Sequence, residues 1–216
     1  MWRAWEPDVM GAVSKGNKFT ALGRAMDRPG LGVLLTLVVL AWGVEVLDVL
    51  IFKDLDRFGI RPRQVNGLPG VVLSPWLHVG WGHLIANTLT FLGLGLVVLY
   101  AEGRRFIGTT LMLVILSGLG TWLIGRGNSV HVGASGLIYG YFGYLLGRAF
   151  WERRLGWAIV GILVGVIYGG MIWGVVPTEG RVSWEGHLAG FVTGVWLGRQ
   201  HALARKKASG PAGLSV

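Results

Sequence analysis

Three short polar clusters interrupt a sequence that is otherwise strongly apolar. His83 and Asn87 form the first, Ser135 and Tyr139 form the second, and His187 belongs to the third. In the first two clusters the residues are four apart, a spacing that places both side chains on one face of a helix. Because the chain contains no cysteine, thiolate nucleophiles and cysteine-bound zinc or iron–sulfur clusters are excluded. Any chemistry must therefore come from hydroxyl, imidazole or carboxylate groups.

The composition predicts that these clusters lie in a membrane. Of the 216 residues, 52% are hydrophobic, 14% are charged and 37 are glycine, and the mean hydropathy is +0.56. Soluble domains carry about a quarter charged residues, whereas crossing a bilayer takes about 20 mostly apolar residues. Six stretches meet or approach that length: Leu31–Phe52, Leu84–Tyr100, Phe106–Ile124, Val132–Phe150, Gly156–Val176 and Trp184–Leu197. We therefore predict an all-α polytopic membrane protein, a bundle of six transmembrane helices.

The distribution of charge predicts how the six spans are oriented. Fourteen of the 20 lysine and arginine residues fall in the termini and in the loops on the same side of the membrane, and six fall on the opposite side. Because basic residues collect on the cytoplasmic side, both termini are expected there. The net charge of +9 is spread over the span ends, without a continuous stripe that could follow a phosphate backbone. This pattern argues against nucleic acid as a partner and is sufficiently explained by contact with the lipid bilayer.

This orientation would bring the polar clusters to one depth. Spans two, four and six would all begin at the outer surface, so that the first turns of these spans converge just below it. Two of them carry stripes of glycine, which are Gly136, Gly140, Gly143 and Gly147, and Gly186, Gly190, Gly194 and Gly198. Small residues let helices approach closely in a membrane. If the stripes pack together, Ser135 and His187 come within the hydrogen-bonding reach that a serine nucleophile and its base require.

At these residues the sequence resembles the rhomboid family of intramembrane serine proteases. The motifs that carry the resemblance are Gly133-Ala134-Ser135-Gly136, the spacing of His78, His83 and Asn87, and His187-Leu188-Ala189-Gly190. Tyr139 also matches a family tyrosine that packs on the catalytic histidine. The resemblance covers about residues 31–200. In one respect the chain departs from many bacterial members, because no adjacent Trp-Arg pair occurs between Lys53 and Leu77.

The resemblance implies a catalytic dyad of serine and histidine. Ser135 would attack the scissile carbonyl, with His187 acting first as general base and then as general acid. The side chains of His83 and Asn87 and the backbone N–H of Ser135 would stabilise the oxyanion. The residues that would support the site are Tyr139, Gly133, Gly136 and His78. No metal and no other cofactor is implied.

Domain limits, location and substrates are also implied. Residues 1–30 would form a cytoplasmic lead-in, residues 31–200 the six-span rhomboid protease core, and residues 201–216 a basic cytoplasmic tail. His131 is expected in a loop and His201 in the tail. The substrates would be transmembrane proteins, cut near the outer face of a bacterial plasma membrane.

Other interpretations of the same residues stay open. A single serine in a span often bonds back to a carbonyl of its own helix. Glu185 lies about 200° around the helix from His187, so it is a poor third member of a triad. Glu45 and Asp48, in the outer half of the first span, are assigned no catalytic role. A small transporter would use them and the histidines as a proton path, and a non-catalytic rhomboid-like protein would bind membrane segments.

Overall fold

The computed structural model describes residues 29–178 and 182–208, and the chain there is largely helical. Six long helices follow one another: α1 (Pro29–Leu47), α2 (Trp81–Glu102), α3 (Phe106–Ile124), α4 (Ser135–Glu152), α5 (Leu155–Tyr168) and α6 (Trp184–Ala208). Within these two ranges, the only β-structure is a single bridge in the loops. The predicted lead-in, apart from its last two residues, lies outside the described residues, as do residues 179–181 and 209–216.

Three helical stretches of the described chain are long and apolar enough to cross a membrane: Gly30–Phe52, Trp81–Ile124 and Leu155–Val175. The first adds a π-helical turn to α1, the second joins α2 to α3, and the third adds the 3-10 turn Gly169–Val175 to α5. Many of their large apolar side chains are exposed, such as Leu50 and Val166, as suits a surface that meets lipid tails. The fold is a helical membrane bundle. The count of six spans stays a prediction, because α4 and α6 fall outside these stretches.

Helix α4 packs most closely against α6, and most of its side chains are buried. A Cβ atom placed on Gly190 of α6 would overlap the carbonyl of Gly136, and one placed on Gly194 would overlap the carbonyl of Gly140. The two backbones therefore touch without room for a methyl group between them. The two glycine stripes therefore pack against each other.

The loop between α1 and α2, residues 53–80, is hydrogen-bonded to the segment that precedes α4. It folds as a series of short helical turns: Leu55–Phe58, Val65–Gly67, Gly70–Leu73 and Ser74–Trp76. An antiparallel bridge joins Ile60 to His131, with N–H to oxygen contacts of 2.9 Å in both directions. Two residues further on, the N–H of Gly133 donates to the carbonyl of Ser74 at 2.8 Å. These backbone bonds hold the loop in place relative to the start of α4.

Helix α4 begins at Ser135, three residues after the predicted start at Val132. Gly133 has a φ of +107°, a conformation that glycine adopts without the steric cost of a side chain. The bridge at His131 keeps the preceding backbone out of helical geometry as well. Ser135 is therefore the first residue of its helix, where the backbone N–H groups have no partner within the helix.

A buried cluster of charges joins the helices at the other end of the bundle. Arg148 of α4 forms ion pairs with Glu102 of α2 and with Glu152, and the three side chains are at most 3% exposed. Its guanidinium carbon also lies 4.5 Å from the ring centre of Trp157 in α5. Because a buried charge without its partner is strongly unfavourable, these contacts hold the ends of α2, α4 and α5 together.

Helix α6 continues beyond the predicted core into the predicted tail. It ends at Ala208 in the described chain, so the first part of residues 201–216 is helical. His201, expected in the tail, lies on this helix, and its Nδ1 atom is 2.8 Å from the hydroxyl oxygen of Tyr144 in α4. The end of α6 is thereby tied to the charge cluster, since Tyr144 also accepts a hydrogen bond from Arg148 at 3.1 Å.

Neighbouring aspartates in and before the loop between α1 and α2 give one testable pH effect. Burial, followed by the charges of Asp48 and Asp54, raises the pKa of Asp56 from 3.8 to about 6. A carboxyl whose pKa is raised on folding destabilises the folded state when it is ionised, so the loss is absent below pH 3.8, grows between pH 3.8 and about 6, and is complete above that pH. We expect Asp56→Asn to raise the melting temperature near pH 8 and to leave it nearly unchanged near pH 4, as measured by tryptophan fluorescence.

The control for this prediction is Asp54→Asn. Asp54 is exposed and pairs with Arg57 at 3.4 Å, so its removal should raise the melting temperature less than the removal of Asp56. An equal gain for Asp56→Asn at both pH values would contradict the prediction, because the gain would then not come from ionisation.

Candidate active site

His187, in the first turns of α6, is held from two sides. Its Nδ1 atom lies 2.9 Å from the carbonyl oxygen of Gly174, in the turn that extends α5. Since a carbonyl only accepts, Nδ1 carries the proton, and Nε2 of the neutral ring has a free lone pair. The ring stacks on Tyr139, with centres 4.1 Å apart and planes 10° apart. The Tyr139 hydroxyl donates to the carbonyl of Met171 at 2.9 Å, so both rings are anchored to the end of α5.

Ser135 lies at the start of α4, beside the contact between α4 and α6. The next residue, Gly136, packs against the backbone of Gly186 and Gly190, which flank His187 in α6. Ser135 is half-buried and lines a small cavity with Gly136, Gly186 and polar neighbours. Within residues 29–178 and 182–208, no protein group forms a hydrogen bond with its hydroxyl. The hydroxyl is therefore available to a bound peptide.

His83 and Asn87 lie one turn apart on α2 and reach the backbone just before Ser135. A Cβ atom placed on Gly133 would lie 2.6 Å from Cε1 of His83 and 3.6 Å from Nδ2 of Asn87. His83 Nδ1 accepts the N–H of Val79 over a long 3.5 Å, so its Nε2 carries the proton. Asn87 Nδ2 donates one hydrogen to the carbonyl of His83 at 3.0 Å. One N–H of each side chain is left to face the loop that leads to Ser135.

The remaining residues singled out from the sequence lie around this group or away from it. His78 is buried behind His83, with ring centres 5.2 Å apart in an edge-on arrangement. Glu45 is buried in α1, and the carboxylate of Asp48 accepts the N–H of Leu55 at 2.7 Å. Both acids thus belong to the junction between α1 and the loop that leads to α2. Among the described residues, no group of three or more acidic, histidine or cysteine side chains could hold a metal ion.

Several residues that the sequence motifs did not identify connect the two halves of the site. His131, expected only as a loop residue, is buried and hydrogen-bonds to Ser183 at the start of α6. Glu185 pairs with Arg126 at 2.8 Å. Of these residues, only Ser183 could have been identified from the sequence, since a serine directly before an apolar helix is a typical N-cap.

These contacts define an integral membrane protein made of helices, with a polar site where the starts of α2, α4 and α6 meet. The site combines a serine hydroxyl, an oriented imidazole and N–H donors, and glycine backbone contacts bring its elements together. The arrangement suits reactions in which a hydroxyl attacks and an imidazole moves the proton.

Comparison with known sequences gives the family of this chain. Residues 66–202 match the Rhomboid domain. A protein of Mycobacterium tuberculosis, named as uncharacterized, is 46% identical over 171 residues, which cover 75% of this chain and 71% of the relative. RHOMBOID-like protein 5 of Arabidopsis thaliana is 32% identical over 185 residues, 70% of this chain and 57% of its own length. A Bacillus subtilis protein, named a putative rhomboid protease, is 27% identical over 138 residues, which cover 59% of this chain and 66% of the length of that protein. The chain belongs to the rhomboid family.

Proposed function

We propose that the chain is an intramembrane serine protease that hydrolyses transmembrane proteins through Ser135 and His187. One observation carries the proposal. His187 stacks on Tyr139 and donates its Nδ1 proton to the Gly174 carbonyl, beside the place where the backbones of α4 and α6 touch. This holds a neutral imidazole with a free Nε2 lone pair near the start of the serine's helix, which is what a serine nucleophile needs from its base. Membership of the rhomboid family points to the same activity.

The reaction would proceed through an acyl-enzyme. Nε2 of His187 takes the hydroxyl proton of Ser135 as Oγ bonds to the scissile carbonyl carbon. The imidazolium then gives that proton to the amine nitrogen as the C–N bond breaks, which leaves an ester on Ser135. A water molecule, deprotonated by the same Nε2 atom, attacks this ester, and Ser135 recovers its proton as the acid departs. In both steps the Gly174 carbonyl stabilises the imidazolium by accepting its Nδ1–H.

The negative oxygen of the tetrahedral intermediates would be stabilised by three donors. The first two are the free N–H groups of His83 and Asn87, which face the loop before Ser135. The third is the backbone N–H of Ser135, which has no partner within α4 because it belongs to the first turn. Donors that are already aimed at the oxyanion lower the barrier without reorganising during the reaction.

We also propose that cleavage takes place near the outer membrane face, with both termini in the cytoplasm. The support is the distribution of lysine and arginine, with fourteen on the proposed inner side and six on the outer side. A carbonyl within a helix is hydrogen-bonded, so the substrate must unwind before Ser135 can reach it. The rhomboid resemblance implies transmembrane substrates with a small residue before the cut and helix-weakening residues beyond it, and the need to unwind agrees with the second feature.

Labelling with a fluorophosphonate tests this proposal directly. The purified chain is reconstituted in liposomes and treated with the reagent, and the modified peptide is identified by mass spectrometry. We expect the label on Ser135, and we expect labelled protein to have lost the ability to cut a transmembrane test substrate. No label and no cleavage would favour a non-catalytic binder of membrane segments, and proton flux that depends on Glu45 would favour a transporter.

Asn87→Ala tests the proposed oxyanion donors. We expect kcat to fall by about 10²–10³-fold with KM nearly unchanged, because the oxyanion exists only in the transition state and the intermediates. Steady-state cleavage in liposomes measures both constants. The control is Thr90→Ala on the same helix, since the Thr90 hydroxyl bonds back to the carbonyl of Ala86 at 3.0 Å. A rise in KM at constant kcat would instead assign Asn87 to substrate binding.

A further inference from the structure

The loop between α3 and α4 is fastened to the start of α6 by two side-chain contacts. The imidazole Nδ1 atom of His131 hydrogen-bonds with the hydroxyl of Ser183. The Nε atom of Arg126 lies 2.8 Å from a carboxylate oxygen of Glu185, and its Nη2 atom donates to the carbonyl of Val182 at 2.9 Å. The three residues contacted, which are Val182, Ser183 and Glu185, therefore lie just before the proposed base, His187, in the sequence.

A single placement of protons satisfies every hydrogen bond around His131. The Ser129 hydroxyl donates to the carbonyl of Arg126 at 2.7 Å, so it accepts from Nε2 of His131, 2.9 Å away. Nδ1 then holds a lone pair and accepts the hydroxyl proton of Ser183. The Ser183 oxygen accepts the N–H of Gly186 at 3.3 Å, as an N-cap does. Burial, the largest effect, lowers the pKa of His131, which favours the neutral ring that these bonds require.

The second contact is mainly electrostatic. The side chain of Glu185 is 1% exposed, and that of Arg126 is 41% exposed. Among the described residues, neither oxygen of Glu185 has a partner aligned for a hydrogen bond, so the nearby guanidinium compensates its charge through proximity alone. A buried carboxylate that loses its cation is strongly unfavourable. The first turn of α6 is therefore drawn toward the loop that carries Arg126.

A small displacement of the residues in either contact would change the position of Ser135 relative to His187. On the loop side, His131 is held by its backbone bridge to Ile60 in the loop between α1 and α2, and it lies four residues before Ser135. On the helix side, the N–H of His187 donates to the carbonyl of Ser183 at 3.1 Å. A shift of Ser183 would therefore move the imidazole directly, while Ser135 stayed with the loop.

We infer that Arg126, His131, Ser183 and Glu185 form a clamp that positions the imidazole of His187 against Ser135. The inference rests on the proposed function, because it concerns the geometry of the same two residues. The four are positioning residues that act through His187. A displaced base slows proton transfer but leaves substrate binding intact, so the clamp should affect kcat and not KM.

Fluorophosphonate labelling separates this role from a purely structural one. The final labelled fraction counts the folded sites, whereas the rate constant of labelling reports how well Ser135 is activated. We expect His131→Leu and Ser183→Ala to lower the rate constant and kcat by about 10- to 100-fold, with the final fraction near that of the unmodified protein. Ser183→Thr keeps the hydroxyl and should restore the rate. A reduced fraction at an unchanged rate would overturn the clamp.

The ion pair is tested by Glu185→Gln, which keeps the shape of the side chain and removes its charge. The labelling rate should fall as it does for Ser183→Ala. The matched control is Arg57→Gln, which breaks an exposed ion pair with Asp54 and should leave the rate unchanged. If the unmodified protein labels and every clamp variant labels equally fast, the clamp is refuted and the proposed function stands. If the unmodified protein does not label at all, the proposed function fails first.

Discussion

Replacing Ser135 by alanine is expected to abolish fluorophosphonate labelling and cleavage of a transmembrane substrate. His187→Ala should reduce cleavage almost as far, by about 10⁴-fold or more, because a serine hydroxyl without a base is a poor nucleophile. The variant that lacks both side chains should be no slower than the slower single variant. Residues that act as a unit lose their effect together, so this non-additivity is the kinetic signature of a dyad.

Single-turnover cleavage in liposomes measures all three variants on one scale. Arg57→Gln is a suitable control, because Arg57 lies away from the site in an exposed ion pair with Asp54, and its loss should not affect the chemical step. Cleavage that survives in Ser135→Ala would refute the mechanism. Multiplicative losses in the double variant would indicate that Ser135 and His187 act independently.

Gly194→Ala is expected to lower the stability of the bundle by about 3 kcal/mol, although it adds only one methyl group. The new Cβ atom would overlap the carbonyl of Gly140 and lie 2.7 Å from the backbone nitrogen of Tyr144. Neither atom can move unless α4 moves away from α6. Because these helices carry Ser135 and His187, the catalytic rate should fall along with the stability.

The control for this prediction is the same substitution where space is available. Gly165 lies in the exposed part of α5, and a Cβ atom there would meet nothing within 4 Å. Gly165→Ala should therefore leave stability unchanged or raise it by about 0.5–1 kcal/mol. Reversible unfolding in mixed detergent micelles gives both values. Equal stability of the two variants would mean that α4 and α6 are not in backbone contact.

The packing of α4 on α6 could be predicted because close contact in a membrane restricts which residues fit. Glycines at four-residue intervals, from Gly186 to Gly198, are a pattern that this restriction leaves in the sequence. The approach of Tyr139 to His187 was expected from family resemblance, and the rings do stack. The catalytic roles of these residues stay predictions.

The groups that orient the proposed site could not be predicted, and the reasons are physical. The partner of His187 Nδ1 is the carbonyl of Gly174, and a main-chain carbonyl has the same chemistry at every position. The start of α4 depends on a bridge between Ile60 and His131, which forms only after distant loops meet. The ion pair of Glu185 with Arg126 also forms only after distant segments meet, so the residues next to Glu185 in the sequence do not indicate its partner.

The α6 glycines are evenly spaced, so the backbone contact that they make with α4 does not by itself determine the axial register of the two helices. If α6 slid by one turn, each glycine would take the place of the next, and His187 would move about 6 Å along the axis, beyond the reach of Ser135. The contacts that distinguish one register from another include the stacking of Tyr139 on His187 and, at the two ends, the bonds of His201 with Tyr144 and of Ser183 with His131. The glycines thus fix how near the two helices lie, and these polar contacts fix which turns face each other.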